Sequence, residues 1–473
     1  MILLSFPTST RPTGRPRFHD IILRMQLTFH GGAESVTGAN YVLEAAGKKI
    51  LIDCGLHQGG HFAERKNFED FPYDPRGIDA VFVTHAHIDH IGLLPKLHNK
   101  GFAGHIYSTA PTKDFAELLL LDSEGILAKE AEREGVPPLY SVEDVEKVLR
   151  VWETRNYHEP LTVGEGLQVE FLNAGHILGS SIIRVKAEGK SVIFSGDLGN
   201  YPAPIIKDTE TVAKADYCVI ESTYGNRVHE PRLAREEQIE DAIEEAVQGG
   251  GAIIIPAFAM ERTQDLLFHL NNLVEHNRIP RVPIFIDSPL AIKLTILYKK
   301  YRSYFDADTS AQIKDGDDIF NFPGLHLTLT TAESKAINEA PSPKIIIAGS
   351  GMSNGGRILH HERRYLADPK STIIFVGYQA PGTLGRRILD GAPEVTIFGQ
   401  AVPVRCKKKV LTGFSAHADQ PRLLEWLRPM RLSLNKLFVV QGEPEASAAL
   451  AQRARDLLAI DTVIPKAGES YVL

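Results

Sequence analysis

The run Thr84-His85-Ala86-His87-Ile88-Asp89-His90 constrains this chain more than any other stretch. Three of the chain's 18 histidines, with an aspartate, stand between positions 85 and 90, directly after the apolar run Ala80-Val81-Phe82-Val83. In an extended or turning segment, residues two apart project to the same side, so His85 and His87 offer imidazole nitrogens to one cation. Asp89 and His90 come after the chain has begun to turn, which suits a second cation nearby. Two cations about 3.5–4 Å apart share a hydroxide and clamp the oxygens of a scissile phosphate or acyl group. The alternative, a histidine-rich surface turn, leaves the ligands found elsewhere in the chain unexplained.

Those further ligands follow in order. Asp53 closes the run Lys49-Ile50-Leu51-Ile52, a place suited to holding a ligand histidine or a bridging water from beneath the metals. His176 lies in Asn173-Ala174-Gly175-His176-Ile177-Leu178-Gly179-Ser180, a glycine-flanked loop between two strands. Asp197, in Phe194-Ser195-Gly196-Asp197-Leu198-Gly199, ends another strand, where the two oxygens of one carboxylate suit two cations. Taken singly, an aspartate at a strand end is more often a turn former or a helix cap. Their order and setting together favour the metal reading.

At 473 residues the chain has room for two or three domains, or for one domain with a large insertion. Its 43% hydrophobic and 23% charged content is that of an ordinary globular protein. The formal net charge of −7 argues against a broad basic surface, so a nucleic-acid substrate would depend on a local groove and on the metals. Cys54, Cys218 and Cys406 lie far apart with no paired spacing, which predicts no disulfide framework and a cytoplasmic protein. No apolar run reaches the roughly 18 residues of a membrane span. Residues 1–24, with three prolines and three arginines between Pro7 and Arg17, read as a disordered extension and lack the pattern of a secretory signal. Met25 is a candidate start, because the strand pattern Gln26-Leu27-Thr28-Phe29 begins at once.

Short β-rich runs separated by glycine-rich loops follow: Leu27 to His30, Tyr41 to Glu44, Lys49 to Asp53 and Ala80 to Thr84. After His105 to Ser108, helices are predicted from Thr112 to about Glu134 and from Val142 to Trp152, and strands return at Leu167 to Leu172, Ser181 to Ala187 and Ser191 to Ser195. From about residue 210 the pattern alternates: apolar runs at Tyr217 to Glu221, Ala252 to Pro256, Val282 to Asp287, Lys344 to Ala348 and Thr372 to Gly377 are separated by helical segments. Such β-branched runs between helices predict a parallel sheet covered on both faces. A strand-rich stretch at Val404 to Leu411, a helix from Gln420, a strand at Lys436 to Val440 and a helix from Glu445 to Leu458 complete the chain.

Asp53, His85-Ala86-His87-Ile88-Asp89-His90, His176 and Asp197 resemble the first four motifs of the metallo-β-lactamase superfamily. Glu221-Ser222-Thr223-Tyr224-Gly225 is similar to motif A of its β-CASP group of nucleases, and Gly413-Phe414-Ser415-Ala416-His417-Ala418-Asp419 to motif B. Gly349-Ser350-Gly351-Met352 and Gly377-Tyr378-Gln379-Ala380, each with its downstream arginines, also read like segments of the RNA-acting members. The resemblance implies an α/β fold: a metallo-β-lactamase αββα sandwich formed by 25–208 and 401–473, with a β-CASP domain of mainly parallel sheet inserted at 209–400 and the active site where the two meet.

It also implies two zinc ions per chain, the first held by His85, His87, His176 and bridging Asp197, the second by Asp89, His90 and Asp197. The implied activity is ribonuclease action, endonucleolytic or exonucleolytic or both, by a metal-bridged hydroxide. His417 is the implied general acid on the leaving oxygen and Glu221 the group that orients it, with Asp53 in support. The partner implied is RNA, single-stranded, with no membrane, and homodimers are common in similar proteins. Ser415, Arg386, Arg387 and the backbone around Gly351 are candidate phosphate contacts.

One position departs from the pattern. RNA-acting members show a histidine before Gly-Glu at the end of a late strand, where this chain has Gln441-Gly442-Glu443. An amide oxygen is a weaker zinc ligand than imidazole, so a weakened second site is expected. Two other functions compete with the ribonuclease: a catalytically weak RNA-binding paralogue, and a small-molecule thioester or lactam hydrolase, against which the inserted domain argues. Lys407-Lys408-Lys409 reads as a solvated strand or edge, and His57, His61, His360 and His361 as surface or loop residues outside the metal set.

Overall fold

The computed structural model describes residues 24–59, 65–229, 235–380, 382–411 and 414–473. The predicted extension, apart from Arg24, lies outside these residues, as do His61 and Gly413.

Two seven-stranded sheets pack face to face. The first runs in the order Ser470–Val472, Gln26–Gly31, Asn40–Ala45, Lys48–Ile52, Ala80–Phe82, His105–Ser108, Trp152–Thr154. The second runs Thr462–Val463, Lys436–Val440, Tyr217–Glu221, Lys190–Phe194, Ser181–Ala187, Gln168–Asn173, Leu161–Thr162. Alternation along Gln26–Gly31 sends Leu27 and Phe29 into the interlayer core. There they meet Phe171, Ile183, Phe194 and Phe438 of the opposite sheet, and Phe29 and Phe438 lie ring to ring at 5.3 Å. Each such buried aromatic contributes about 2–3 kcal/mol of apolar transfer free energy.

Helices close both outer faces. Ala110–Glu134 starts at a Thr109 cap with Pro111 in its first turn and ends at left-handed Gly135. With Val142–Arg150 it covers the first sheet, while Gln420–Leu427 and Pro444–Leu458 cover the second. These are the four layers expected.

The inserted sheet has six parallel strands in the order Leu325–Leu327, Ile284–Ile286, Lys344–Ala348, Ala252–Pro256, Thr372–Phe375, Lys407–Val410. Ala252–Pro256 is buried at every residue because apolar clusters lie on both faces. The cluster on one face continues into the sandwich, where Phe115 meets Tyr298 at 5.4 Å and the Tyr301 hydroxyl donates to Asp114 at 2.6 Å.

Two strands belong to different sheets from those expected. Tyr217–Glu221 pairs in parallel with Lys190–Phe194 and Lys436–Val440 in the sandwich, although its run of apolar residues resembles those of the inserted sheet. Lys407–Val410 pairs with Thr372–Phe375 as the outer strand of the inserted sheet, where exposed lysines protect an edge. The preceding Gln400–Pro403 forms a hairpin with Glu394–Ile397. The helix predicted through Trp152 stops at Arg150, since Trp152 opens an edge strand. Pro289–Lys300 and Ile358–Tyr365 are among the helical segments expected between the strands of the inserted sheet. Among the described residues no helix is long and apolar enough to cross a membrane.

Candidate metal centre

Asp53, His85, Asp197, Glu221 and Gln441 each stand at or just past the carboxyl end of a sandwich strand, so the sheets deliver them to one edge. The loop after Asp53 is bonded to the turn that follows His87: Cys54 N donates to His90 O at 2.8 Å and Leu56 N to Ile88 O at 3.0 Å. Gly55 makes this approach possible, because a Cβ there would lie 1.5 Å from Asp89 O. His176 reaches the same edge from the loop between Gln168–Asn173 and Ser181–Ala187, its N–H donating to Ser180 Oγ at 3.0 Å.

Donor atoms of His85, His87, His176 and Asp197 lie within 4.8 Å of one another. His85 Nε2 is 2.9 Å from His87 Nδ1 and 3.4 Å from Asp197 Oδ2, and His176 Nε2 is 3.2 and 3.6 Å from the same two atoms. A tetrahedral cation with arms of about 2.1 Å needs edges of about 3.4 Å between its ligands, so this set fits one. Burial, and then the neighbouring imidazoles, hold His87 and His176 well below the usual histidine pKa, leaving neutral rings with lone pairs. Burial pushes the Asp197 carboxyl up, but His90 and His85 outweigh it and hold the group well below the carboxylate range.

Asp197 divides the site. Its Oδ2 faces the three-histidine set, and its Oδ1 lies 3.4 Å from His90 Nε2 and 3.1 Å from Gln441 Nε2. Asp89 Oδ2 is 3.9 Å from His90 Nε2. His90, Asp89 and Gln441 therefore gather on the far side of Asp197 from His87 and His176.

Asp53 supports both halves. Its Oδ1 accepts the Thr84 N–H at 2.8 Å, and its Oδ2 accepts the Thr84 hydroxyl at 2.8 Å and His90 Nδ1 at 2.8 Å. With its own proton given to Asp53, Thr84 Oγ1 is free to accept from His85 Nδ1 at 3.0 Å, which leaves His85 Nε2 unprotonated toward the cluster. Burial works against a charge on His90, yet Asp197, Asp53 and Asp89 outweigh it and raise its pKa well above the usual histidine value. The Gln441 amide nitrogen, 2.9 Å from His90 Nε2, already presents a hydrogen there and favours the neutral ring. Thr84 lies inside the histidine run, but its bridging role depends on Asp53, 31 residues earlier, and was not read from the sequence. Nor was Tyr41, whose hydroxyl donates to Gln441 Oε1 at 3.3 Å.

His417 stands beside this centre. Its Nδ1 is 3.1 Å from Glu221 Oε2 and 3.8 Å from Asp197 Oδ2, and its ring is 4.5 Å from that of His176. The segment carrying it docks on the residues after Asp197: Asn200 N donates to Ala416 O, and Ala418 N to Leu198 O, both at 2.8 Å. Burial disfavours the imidazolium, yet Glu221 by charge and hydrogen bond, then Asp197 and Asp89, raise the His417 pKa to about 9. Asp197, Glu221 and His417 also form a set close enough to hold a cation. Phe414, at the start of the segment, packs under the guanidinium groups of Arg235 and Arg262 and against His269 of the inserted unit.

Of the candidate substrate contacts, Ser415 lies next to His417, and its Oγ accepts the His417 N–H at 3.3 Å. Gly351 O accepts Gln379 Nε2 at 3.0 Å, and Leu384 N donates to Asn354 Oδ1 at 3.2 Å, so the glycine-rich loop is tied to the helix bearing Arg386 and Arg387. Arg386 Nε donates to both carboxylate oxygens of Asp390 at 2.9 Å, whereas Arg387 is exposed. His361 is not the surface residue expected: it is buried on a helix with Nε2 2.7 Å from buried Asp287. A helical face of mixed residues does not reveal which of two adjacent histidines turns inward, and here His360 remains outside.

The Metallo-beta-lactamase superfamily matches residues 36–257, the Beta-Casp domain 263–388, and the Zn-dependent metallo-hydrolase RNA specificity domain 401–465. The chain is 38% identical over 428 residues to Ribonuclease TTHA0252 of Thermus thermophilus, covering 90% of this chain and 95% of the relative. It is 31% identical to an RNase J-like protein of Methanocaldococcus jannaschii, over 93% of this chain and 98% of the relative. A transcription termination factor, FttA, of Methanosarcina mazei is also 31% identical, over 93% and 70%. A crystal structure of a protein of unknown function from Enterococcus faecalis V583 shares the fold, with a TM-score of 0.55 and 16% identity over 95% of this chain and 100% of that one.

Proposed function

The chain belongs to the β-CASP family of the metallo-β-lactamase superfamily and is a metal-dependent hydrolase, and on that premise we propose that it is a zinc-dependent ribonuclease of the cytoplasm acting on single-stranded RNA, endonucleolytically, exonucleolytically or both. The observation that carries this reading is the Glu221–His417 pair, 3.1 Å apart and set against the three-histidine cluster. A half-buried histidine held by a buried glutamate beside a metal centre suits cleavage of a bond whose leaving oxygen needs a proton.

When bound, the cations supply Lewis acidity toward a phosphoryl oxygen and a water nucleophile of lowered pKa. His85, His87, His176 and Asp197 would hold the first, with Asp89, His90 and Asp197 around a second. The chain's own residues supply the proton chemistry. Glu221 occupies His417 Nδ1, so the proton for the leaving 3′ oxygen would come from Nε2. Leu198 N donates to Glu221 Oε1 at 2.6 Å and fixes that carboxylate. Asp53 and Thr84 keep the ligand rings in the tautomers that face the cluster.

We assign phosphate binding to Ser415, Arg387 and the backbone around Gly351. Arg386 joins them by leaving Asp390, an exposed pair worth about 0–1 kcal/mol. A homodimer completes the proposal, and the domain division 25–208, 209–400 and 401–473 is corrected at both borders, with Tyr217–Glu221 in the sandwich and Lys407–Val410 in the inserted unit.

Gln441 favours a second reading, an RNA-binding paralogue of little activity. One assay separates the two: zinc-loaded protein with single-stranded RNA labelled at either end, wild type against His417→Ala. Cleavage lost in the variant supports the ribonuclease, and the label released first gives the direction. Tight RNA binding without cleavage supports the paralogue, and hydrolysis of a thioester with RNA left intact would reject both.

A further inference from the structure

The far side of Asp197 is already filled by a side chain. Gln441 is 2% exposed, and its Nε2 lies 2.9 Å from His90 Nε2 and 3.1 Å from Asp197 Oδ1. Those are the two atoms that a second cation would share. With His90 Nδ1 donating to Asp53 Oδ2, the neutral ring presents Nε2 as an acceptor, and the ionised Asp197 carboxylate presents Oδ1 as another. A primary amide has two hydrogens, one for each.

The amide is held in this orientation. Tyr41, 3% exposed, donates its hydroxyl to Gln441 Oε1 at 3.3 Å, which draws the carbonyl away from Asp197 and turns the NH2 toward it. The backbone is pinned as well: Gln441 N donates to Gly32 O at 2.6 Å, and Gln441 O accepts from Ser222 N at 3.3 Å and Thr223 Oγ1 at 3.2 Å, with φ at 48°. Gly32 leaves the room, since a Cβ there would lie 2.4 Å from Tyr41 Oη and 3.2 Å from Gln441 Cγ. The pocket is thus shaped around Tyr41 and Gln441.

We propose that this chain is a one-cation member of its family, with the cation in the His85–His87–His176–Asp197 set and the Gln441 amide standing in for the second by hydrogen-bonding His90 Nε2 and Asp197 Oδ1. Two hydrogen bonds from a neutral group satisfy the acceptors without adding charge. Asp197 then serves one cation through Oδ2 and the amide through Oδ1, and Asp89 stays at the margin as a carboxylate without a cation partner. The inference rests on the metal-centre reading above and narrows it.

The test is a metal count on the full chain, wild type and Gln441→His, purified without chelator and dialysed at one low free zinc concentration before elemental analysis. Wild type is expected to retain one zinc per chain and Gln441→His two, because imidazole restores a ligand and removes the amide hydrogens. Two zincs in wild type would overturn the inference while leaving the metal centre intact, since the amide would then have turned its oxygen inward as a ligand. No zinc in wild type would reject the metal-centre reading and the inference with it. One zinc in a folded Gln441→His, judged by circular dichroism, would show that Gln441 is not what closes the second position. Should the variant fail to fold, the wild-type count decides alone.

Discussion

Glu221 holds His417 through Nδ1 at 3.1 Å while being completely buried itself, so its charge acts on the histidine with little screening by water. With its pKa raised to about 9, His417 keeps its proton through neutral pH and releases it above that value. Cleavage that depends on this acid should therefore hold below about pH 9 and fall as pH rises through it. His417→Ala should lower kcat by about 10²–10⁴-fold and abolish that alkaline limb. Glu221→Gln removes the largest cause of the upward shift, so its limb should move to lower pH. The zinc content of His417→Ala is the control: a full complement agrees with a proton donor, and a lost ion would make His417 a ligand.

Removing the metal should be felt in stability as well as in activity. His85 Nε2 and His176 Nε2 both crowd His87 Nδ1, at 2.9 and 3.2 Å, and a ring nitrogen has a single hydrogen or lone pair to share between them. Zinc at about 100–1,000 times its Kd should stabilise the fold by about 3–4 kcal/mol. Treatment with a chelator followed by gel filtration should lower Tm by several degrees and stop RNA cleavage, and zinc should restore both. An unchanged Tm would mean that the cluster binds no metal in solution.

What was legible in the sequence is what lies close together in it. His85, His87, Asp89 and His90 share one turn, and Asp53, His176 and Asp197 each follow or precede a short apolar run, so local pattern collected them, whereas Glu221 and His417 came from the resemblance to motifs A and B. The structure gathers these residues at one edge. Relations across long stretches of chain were not legible. Tyr41 and Gln441 meet across 400 residues, and neither run states that the other exists. Sheet membership failed for the same reason: Tyr217–Glu221 and Ala252–Pro256 are both buried apolar runs, and only the partners decide which sheet each joins. Asp287 and His361, 74 residues apart, form a buried hydrogen-bonded pair that reads in sequence as two ordinary polar residues.

Asp53→Ala tests whether the support beneath the ligands matters apart from the ligands. The carboxylate, 1% exposed, satisfies the Thr84 N–H, the Thr84 hydroxyl and His90 Nδ1. Removing it leaves three buried donors unanswered, at a cost of about 3 kcal/mol or more. Zinc affinity should also fall about 10–100-fold, because the rings are no longer held in orientation. Urea unfolding and zinc titration measure the two effects separately. A variant equal to wild type in both would remove Asp53 from the site's support.

Glu362 offers a stability test far from the metal chemistry. It is fully buried on the helix Ile358–Tyr365, where Ser353 donates to Oε1 and Oε2 has no partner. Burial pushes its carboxyl from 4.5 to about 8, with the Ser353 bond pulling the other way, so the folded chain keeps it protonated at neutral pH. The sign follows. Below about pH 4.5 both folded and unfolded chains carry the proton, and its stabilising contribution is complete. Between that value and about 8 only the folded chain carries it, so each added pH unit favours unfolding by about 1.4 kcal/mol. The loss has a ceiling of about 5 kcal/mol. Glu362→Gln keeps the shape and an oxygen for Ser353 but never ionises. Its Tm should exceed that of wild type by a wide margin at about pH 9 and differ little at about pH 5. A Tm difference that is the same at both pH values would show that Glu362 is not the group whose ionisation limits the fold.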